Sequence, residues 1–196
     1  ITSCNGNGVN EFIGPGSPNY SGSACSVIGL KVYGGSTCST TGGRTALVRV
    51  RGILTTGQQQ ICSGALITND TVLTAAHCTQ GSLSKIEVDA IGTTVLVTQV
   101  NSLNGGASSA GTDLAVLKLA TSLSQRTLPI LTSQDVQVGD SAIVAGFGRD
   151  STGSLGNAQA GKVKIASVET VTLTTEYDST KVNPCEGDSG GPLLVK

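Results

Sequence analysis

Short runs of apolar and β-branched residues, broken by Gly, Ser, Thr and Asn, recur along most of this chain. Arg44–Ile53 alternates in part between apolar and polar positions, as a strand with one buried face does. Gln60–Ile67, Thr71–Thr74, Lys85–Ile91, Thr93–Val100 and Asp113–Leu119 read as further strands. Asn104 to Gly111 is a small-residue loop, and Leu123–Gln137, with Pro129, is a connector. Asp140–Phe147, Gly161–Val168, Val171–Tyr177 and Gly191–Val195 form a second set. The pattern predicts six strands and then four, with no sustained helical period and no internal repeat. Gly6, Gly8, Gly14, Pro15, Gly16, Pro18 and Gly22 break any periodicity over 1–31, which reads as an extended leader.

Composition agrees with an all-β protein of two unequal halves. Gly, Ser and Thr are abundant, and aromatic residues are only 3% of the chain. The net charge of −1 leaves no basic footprint for nucleic acid. No apolar run is long enough to span a bilayer as a helix. Six scattered cysteines without a C-x-x-C pair favour disulfides in an oxidising compartment over a metal site.

Three positions carry candidate chemistry. His77, the single histidine, lies in Leu73-Thr74-Ala75-Ala76-His77-Cys78. Its side chain suits proton transfer near neutral pH, and the two alanines leave space beside it. Asp113 opens the apolar run Asp113-Leu114-Ala115-Val116-Leu117, where it could act as a turn residue or as a buried partner for an imidazole. Gly187-Asp188-Ser189-Gly190-Gly191-Pro192-Leu193 is the strongest signal. A plain turn explains its glycines but not the polar pair between them. Glycines permit a sharp turn and close approach to a ligand. The N–H groups of Gly187 and Ser189 could then face one oxyanion, with Ser189 Oγ as nucleophile.

These blocks, in the order His, Asp, Ser, resemble the catalytic blocks of the chymotrypsin/trypsin-like serine protease family over residues 32 to 196. The resemblance implies two antiparallel six-stranded β-barrels with the site in the cleft between them, the second barrel being incomplete in this chain. It implies a barrel over 32–122 carrying His77 and Asp113, and a partial barrel over 123–196 carrying Ser189. It further implies a secreted endopeptidase acting on protein or peptide substrates through an acyl-enzyme, without a cofactor. Periplasmic location or a lipid anchor at the cell surface is the alternative. Cys62 and Cys78 match the disulfide that braces the histidine loop. Ala145-Gly146-Phe147-Gly148 resembles the family's Gly-aromatic-Gly segment. The loop after His77 has few carboxylates, so the calcium site of some relatives is not expected.

Lys31-Val32-Tyr33-Gly34-Gly35 resembles the family's activation junction, although Tyr33 departs from the usual Val. The resemblance implies a zymogen in which cleavage after Lys31 frees the Val32 amine to pair with Asp188. Asn183 stands six residues before Ser189, where trypsin-like members carry a carboxylate at the pocket base. An amide there counts against simple preference for Lys or Arg.

The chain ends seven residues after Ser189, where family members continue. The expectation is a second chain supplying the remaining strands, linked through Cys185; truncation is the competing explanation. Cys4, Cys25 and Cys38 could then pair as Cys4–Cys25, Cys25–Cys38 or Cys4–Cys38. Ile1-Thr2-Ser3-Cys4 also resembles a lipobox, and membrane anchoring is expected only if Cys4 is lipidated. The alternative function is a non-catalytic binding protein on the same fold. Loss of a triad residue would mark it, and none is lost.

Overall fold

The computed structural model describes residues 31–32, 38–39, 45–103, 111–132, 135–149, 153–176 and 184–195. The leader up to Leu30, with Cys4 and Cys25, lies outside them, as do Tyr33 and Asn183. A short pair of strands, β1 (Lys31–Val32) and β2 (Cys38–Ser39), runs antiparallel with Val32 opposite Cys38.

Six strands follow: β3 (Leu47–Leu54), β4 (Gln59–Thr68), β5 (Thr71–Thr74), β6 (Leu83–Ala90), β7 (Thr93–Ser102) and β8 (Ala115–Leu119). They close into an antiparallel barrel in the order β3-β4-β5-β8-β7-β6. Closure removes the unpaired edges that an open sheet would present. Four more strands, β9 (Ser141–Gly146), β10 (Gln159–Val168), β11 (Leu173–Thr175) and β12 (Leu193–Val195), form a sheet in the order β11-β10-β9-β12. The predicted six strands and then four are therefore present, in an all-β fold with a closed barrel and a second, partial sheet. Among the described residues no helix is long and apolar enough to cross a membrane.

Boundaries moved where chemistry overrides pattern. The last strand starts at Leu193 instead of Gly191 because Pro192 has no N–H to give a ladder. Strand β8 starts at Ala115, leaving Asp113 just outside the ladder.

Alternation explains the barrel core. Val48 and Val50 of β3, Leu66 of β4, Val72 of β5, Val88 of β6 and Leu117 of β8 are all buried inside. Each such side chain contributes about 1.5–3 kcal/mol through removal from water. Gly64 is required by this filling: an added Cβ would lie 2.7 Å from Val72 Cγ1 and 3.0 Å from Val50 Cγ2.

The other face of β3 does two different things. Leu47 packs with Ala145, Phe147 and Ala158, which joins the barrel to the second sheet. Arg49 and Arg51 stand directly opposite Asp89 and Glu87 of β6. Ion pairs form at 2.8 Å for Arg49–Asp89 and 2.7 Å for Arg51–Glu87, as opposite charges across a ladder favour. Arg49 Nη1 also donates to the Gly156 carbonyl at 3.2 Å, a second tie between the halves.

Candidate active site

His77 and Asp113 meet because their strands are neighbours. Strand β5 pairs with β8, and Thr74 faces Ala115 at the end of that ladder. Three residues beyond Thr74 lies His77, in a 3-10 turn spanning Ala76–Thr79. Asp113 lies two residues before Ala115. The antiparallel register thus delivers both side chains to one rim of the barrel.

Their contact is two-point. The His77 ring nitrogen Nδ1 lies 2.7 Å from Asp113 Oδ2, and the His77 main-chain N–H donates to Oδ1 at 2.9 Å. With Nδ1 facing a carboxylate, Nε2 is the nitrogen left to exchange a proton with a substrate or nucleophile. Partial burial pushes the Asp113 carboxyl upward. The His77 amide, its ring and its charge, and the Ala76 amide outweigh that and hold it below its ordinary value. The side chains are 35% and 29% exposed, so the imidazole is open to a ligand.

The Cys62–Cys78 disulfide forms, with an S–S distance of 2.06 Å. It fastens the turn bearing His77 to β4. The two sulfurs lie within 4.8 Å of a His77 ring nitrogen, but bonding to each other occupies them as metal ligands.

Ser189 sits in the loop between Cys185 and Pro192 that leads into β12. Asp188 N–H donates to Cys185 O at 3.0 Å, and Gly191 N–H donates to Asp188 O at 2.9 Å. Gly187 and Gly190 take φ values of +95° and +81°, which side-chain-bearing residues rarely adopt. An added Cβ at Gly190 would overlap Thr74 Oγ1, the Ser63 carbonyl and the Ala75 N–H, so this loop presses on the end of β5. Ser189 makes no hydrogen bond to the His77 ring among the described residues. Such contacts commonly tighten only with substrate bound. Among the described residues no hydrogen bond uses the N–H groups of Gly187 or Ser189.

Asp188 is turned toward the main chain of Gly148 and Cys185. Its carboxylate accepts from Gly148 N–H at 2.7 Å and from Cys185 N–H at 2.9 Å. Gly146 and Gly148 leave the space it fills, since a Cβ at either would overlap it. Burial raises its pKa above the ordinary carboxyl value, against the pull of those two amides.

Cys185 is disulfide-bonded.

Sequence reasoning missed Ser63 and Thr74. Both are buried polar residues. Ser63 N–H donates to Ser189 O at 2.8 Å, and Thr74 Oγ1 donates to Ser63 O at 2.7 Å. Only their burial beside the serine loop reveals them, and a lone Ser or Thr within a strand gives no such signal.

Comparison with known proteins agrees with this geometry. The trypsin family model matches residues 32–196. A trypsin-like protease of Streptomyces glaucescens is 31% identical over 163 residues, 69% of this chain and 59% of its own length. Trypsin delta of Drosophila erecta is 30% identical over 162 residues, 68% of this chain and 63% of its own. The chain thus spans about three fifths of these relatives. Among solved structures, HL collagenase superposes with a TM-score of 0.69 at 19% identity, covering 84% of this chain and 81% of that one. Human heparin binding protein gives 0.64 at 24% identity, with 77% and 75% covered. A chymotrypsin-type barrel, a histidine–aspartate pair on its rim and a family match over 32–196 lead to one assignment: the chain belongs to the trypsin family of serine proteases.

Proposed function

We propose that the protein is a secreted serine endopeptidase with His77, Asp113 and Ser189 as its catalytic residues. The observation that carries this reading is the two-point hold of Asp113 on His77, which leaves Nε2 as the ring nitrogen for proton exchange. Ser189 Oγ would attack the carbonyl carbon of a peptide bond while His77 Nε2 takes its proton. The resulting oxyanion would accept hydrogen bonds from the Gly187 and Ser189 N–H groups. Collapse breaks the C–N bond, and His77 returns the proton to the departing amine. Water then repeats the sequence on the acyl-enzyme and releases the acid. Asp113 keeps the imidazole in the required tautomer and stabilises the imidazolium.

The division into a leader over 1–31, a barrel unit over 32–122 and a second unit over 123–196 belongs to the same reading. The uncut chain is a zymogen. Cleavage of Lys31–Val32 would free an amine for Asp188, whose buried carboxylate has two amide donors but no cation among the described residues. Asn183 would present an amide to the substrate side chain and disfavour Lys and Arg. A non-catalytic binding role gains no support from the intact His77–Asp113 pair.

Labelling with a serine-directed phosphonyl fluoride tests the reading. Activated protein should take up one label at Ser189, and Ser189→Ala should lower turnover by on the order of 10⁶. An unlabelled, correctly folded and cleaved protein would overturn it. N-terminal sequencing of the active species should begin at Val32.

A further inference from the structure

Ser63 is fully buried on β4, yet both its main chain and its side chain reach into the serine loop. Phe147 N–H donates to Ser63 Oγ at 2.8 Å. Ser63 Oγ lies 2.8 Å from Gly187 O. The hydroxyl has one proton, and the amide already supplies its own. The proton must therefore go to the Gly187 carbonyl, and the direction of both bonds is fixed. The Ser63 N–H donates to Ser189 O at 2.8 Å. Ser63's own carbonyl is in turn held by Thr74 Oγ1 at 2.7 Å.

Two carbonyls that bracket Asp188 are thus drawn onto one residue of the barrel. Gly187 has φ +95°, a region where glycine has more freedom to turn its peptides than other residues. An anchor on its carbonyl removes that freedom. Holding the two carbonyls fixes the ψ angles of Gly187 and Ser189 and so limits how the preceding peptides can turn, and the Gly187 and Ser189 N–H groups of those preceding peptides make no other hydrogen bond among the described residues. The neighbours of Ser63 strengthen the anchor. Cys62 is bonded to Cys78, which adjoins His77. Cys78 Sγ lies 3.7 Å from Ser189 O, a packing contact only, since the disulfide has no S–H.

We propose that Ser63 is a positioning residue that sets the oxyanion-binding N–H groups of Gly187 and Ser189 by anchoring both residues' carbonyls to the barrel. This rests on the serine protease reading above. Ser63 touches no substrate and acts through the loop alone.

The test uses the full chain in its cleaved, active form. Ser63→Ala leaves the Phe147 N–H and Gly187 carbonyl without a partner. It should lower kcat by about 10- to 100-fold while KM stays within about threefold. Affinity for a peptide boronic acid, whose adduct carries the tetrahedral oxygen, should fall by the same factor as kcat/KM. Ser63→Thr, which keeps the hydroxyl, should recover part of both. A lower melting temperature with unchanged kcat and boronate affinity, measured well below the transition, would show a merely structural role and overturn the proposal.

A second measurement stands if the alanine variant does not fold. In a crystal structure of the wild-type phosphonyl adduct at Ser189, the Gly187 carbonyl should remain on Ser63 Oγ and the phosphonyl oxygen should sit on the two N–H groups. An adduct whose Gly187 carbonyl has left Ser63 overturns the proposal. Wild-type protein that takes up no label overturns the catalytic reading and this proposal with it. A labelled wild type with an unaffected Ser63→Ala overturns this proposal alone.

Discussion

Both carboxylate oxygens of Asp113 are engaged by one residue: Oδ1 by the His77 main-chain N–H and Oδ2 by its ring Nδ1. The main-chain bond fixes where the carboxylate sits, so the ring bond is a consequence of the fold and not of a chance rotamer. In Asp113→Asn one oxygen remains for the main-chain N–H, and the amide nitrogen turns to the ring. That nitrogen donates, so Nδ1 must accept and Nε2 becomes the protonated, non-basic nitrogen. Activity should fall by on the order of 10⁴ with the melting temperature nearly unchanged. Steady-state kinetics beside a thermal melt checks this, and a small kinetic loss would count against the assigned roles.

Asp188 should make the uncut chain's stability fall as pH rises. Its folded pKa is raised by burial above the ordinary 3.8. The folded state therefore holds this proton more tightly than the unfolded chain does. The contribution is complete below the unfolded value and is lost as pH rises through the folded one. Asp113 has a lowered pKa and works the other way: its contribution is present above the unfolded value and lost as pH falls through the folded one. Urea unfolding of wild type and Asp188→Asn across this range isolates Asp188, because Asp113 is common to both. The stability difference, wild type minus variant, should decline with rising pH. A flat difference would refute the assignment. After cleavage at Lys31–Val32 the slope should reverse, since an ammonium beside Asp188 favours the ionised carboxylate.

Gly190→Ala should abolish activity. The position has φ +81°, and the new Cβ would overlap main-chain atoms of Ser63 and Ala75 as well as Thr74 Oγ1. Main chain cannot move aside as a side chain can, so the serine loop must lift from β5. Phosphonyl labelling of Ser189 and near-ultraviolet circular dichroism follow the two effects. Normal labelling would show that the loop tolerates the change.

Gly64→Ala tests the packing of the barrel core. Its backbone is unstrained, but Val72 Cγ1 and Val50 Cγ2 occupy the space at 2.7 and 3.0 Å. Overpacking of this kind costs about 1–3 kcal/mol. Denaturant unfolding should show that loss, with the dependence on denaturant concentration unchanged.

The ten barrel and sheet strands were legible in the sequence because half-buried strands write an alternating pattern; β5 has the predicted boundaries, Thr71–Thr74. His77 and Ser189 stood out as candidates because small residues surround them. Ser63 was not. Its significance lies in bonds to Gly187, 124 positions away, and to Phe147, 84 away. Nothing local to Cys62-Ser63-Gly64 reports such contacts. The pairing of Cys185 was open for the same reason: which cysteine it bonds is a property of space, not of neighbours in the chain.

The bond from Ser63 N–H on β4 to Ser189 O makes the position of the serine loop joint property of two halves. The second sheet carries the serine loop, but residues of the barrel hold it. In a hybrid that takes its barrel from a relative, the serine loop would keep these bonds only if the new barrel supplied a matching residue at the position of Ser63. A barrel–sheet hybrid that keeps Ser63 should turn over faster than one lacking it, and hydrolysis by such pairs would show whether the halves have had to change together.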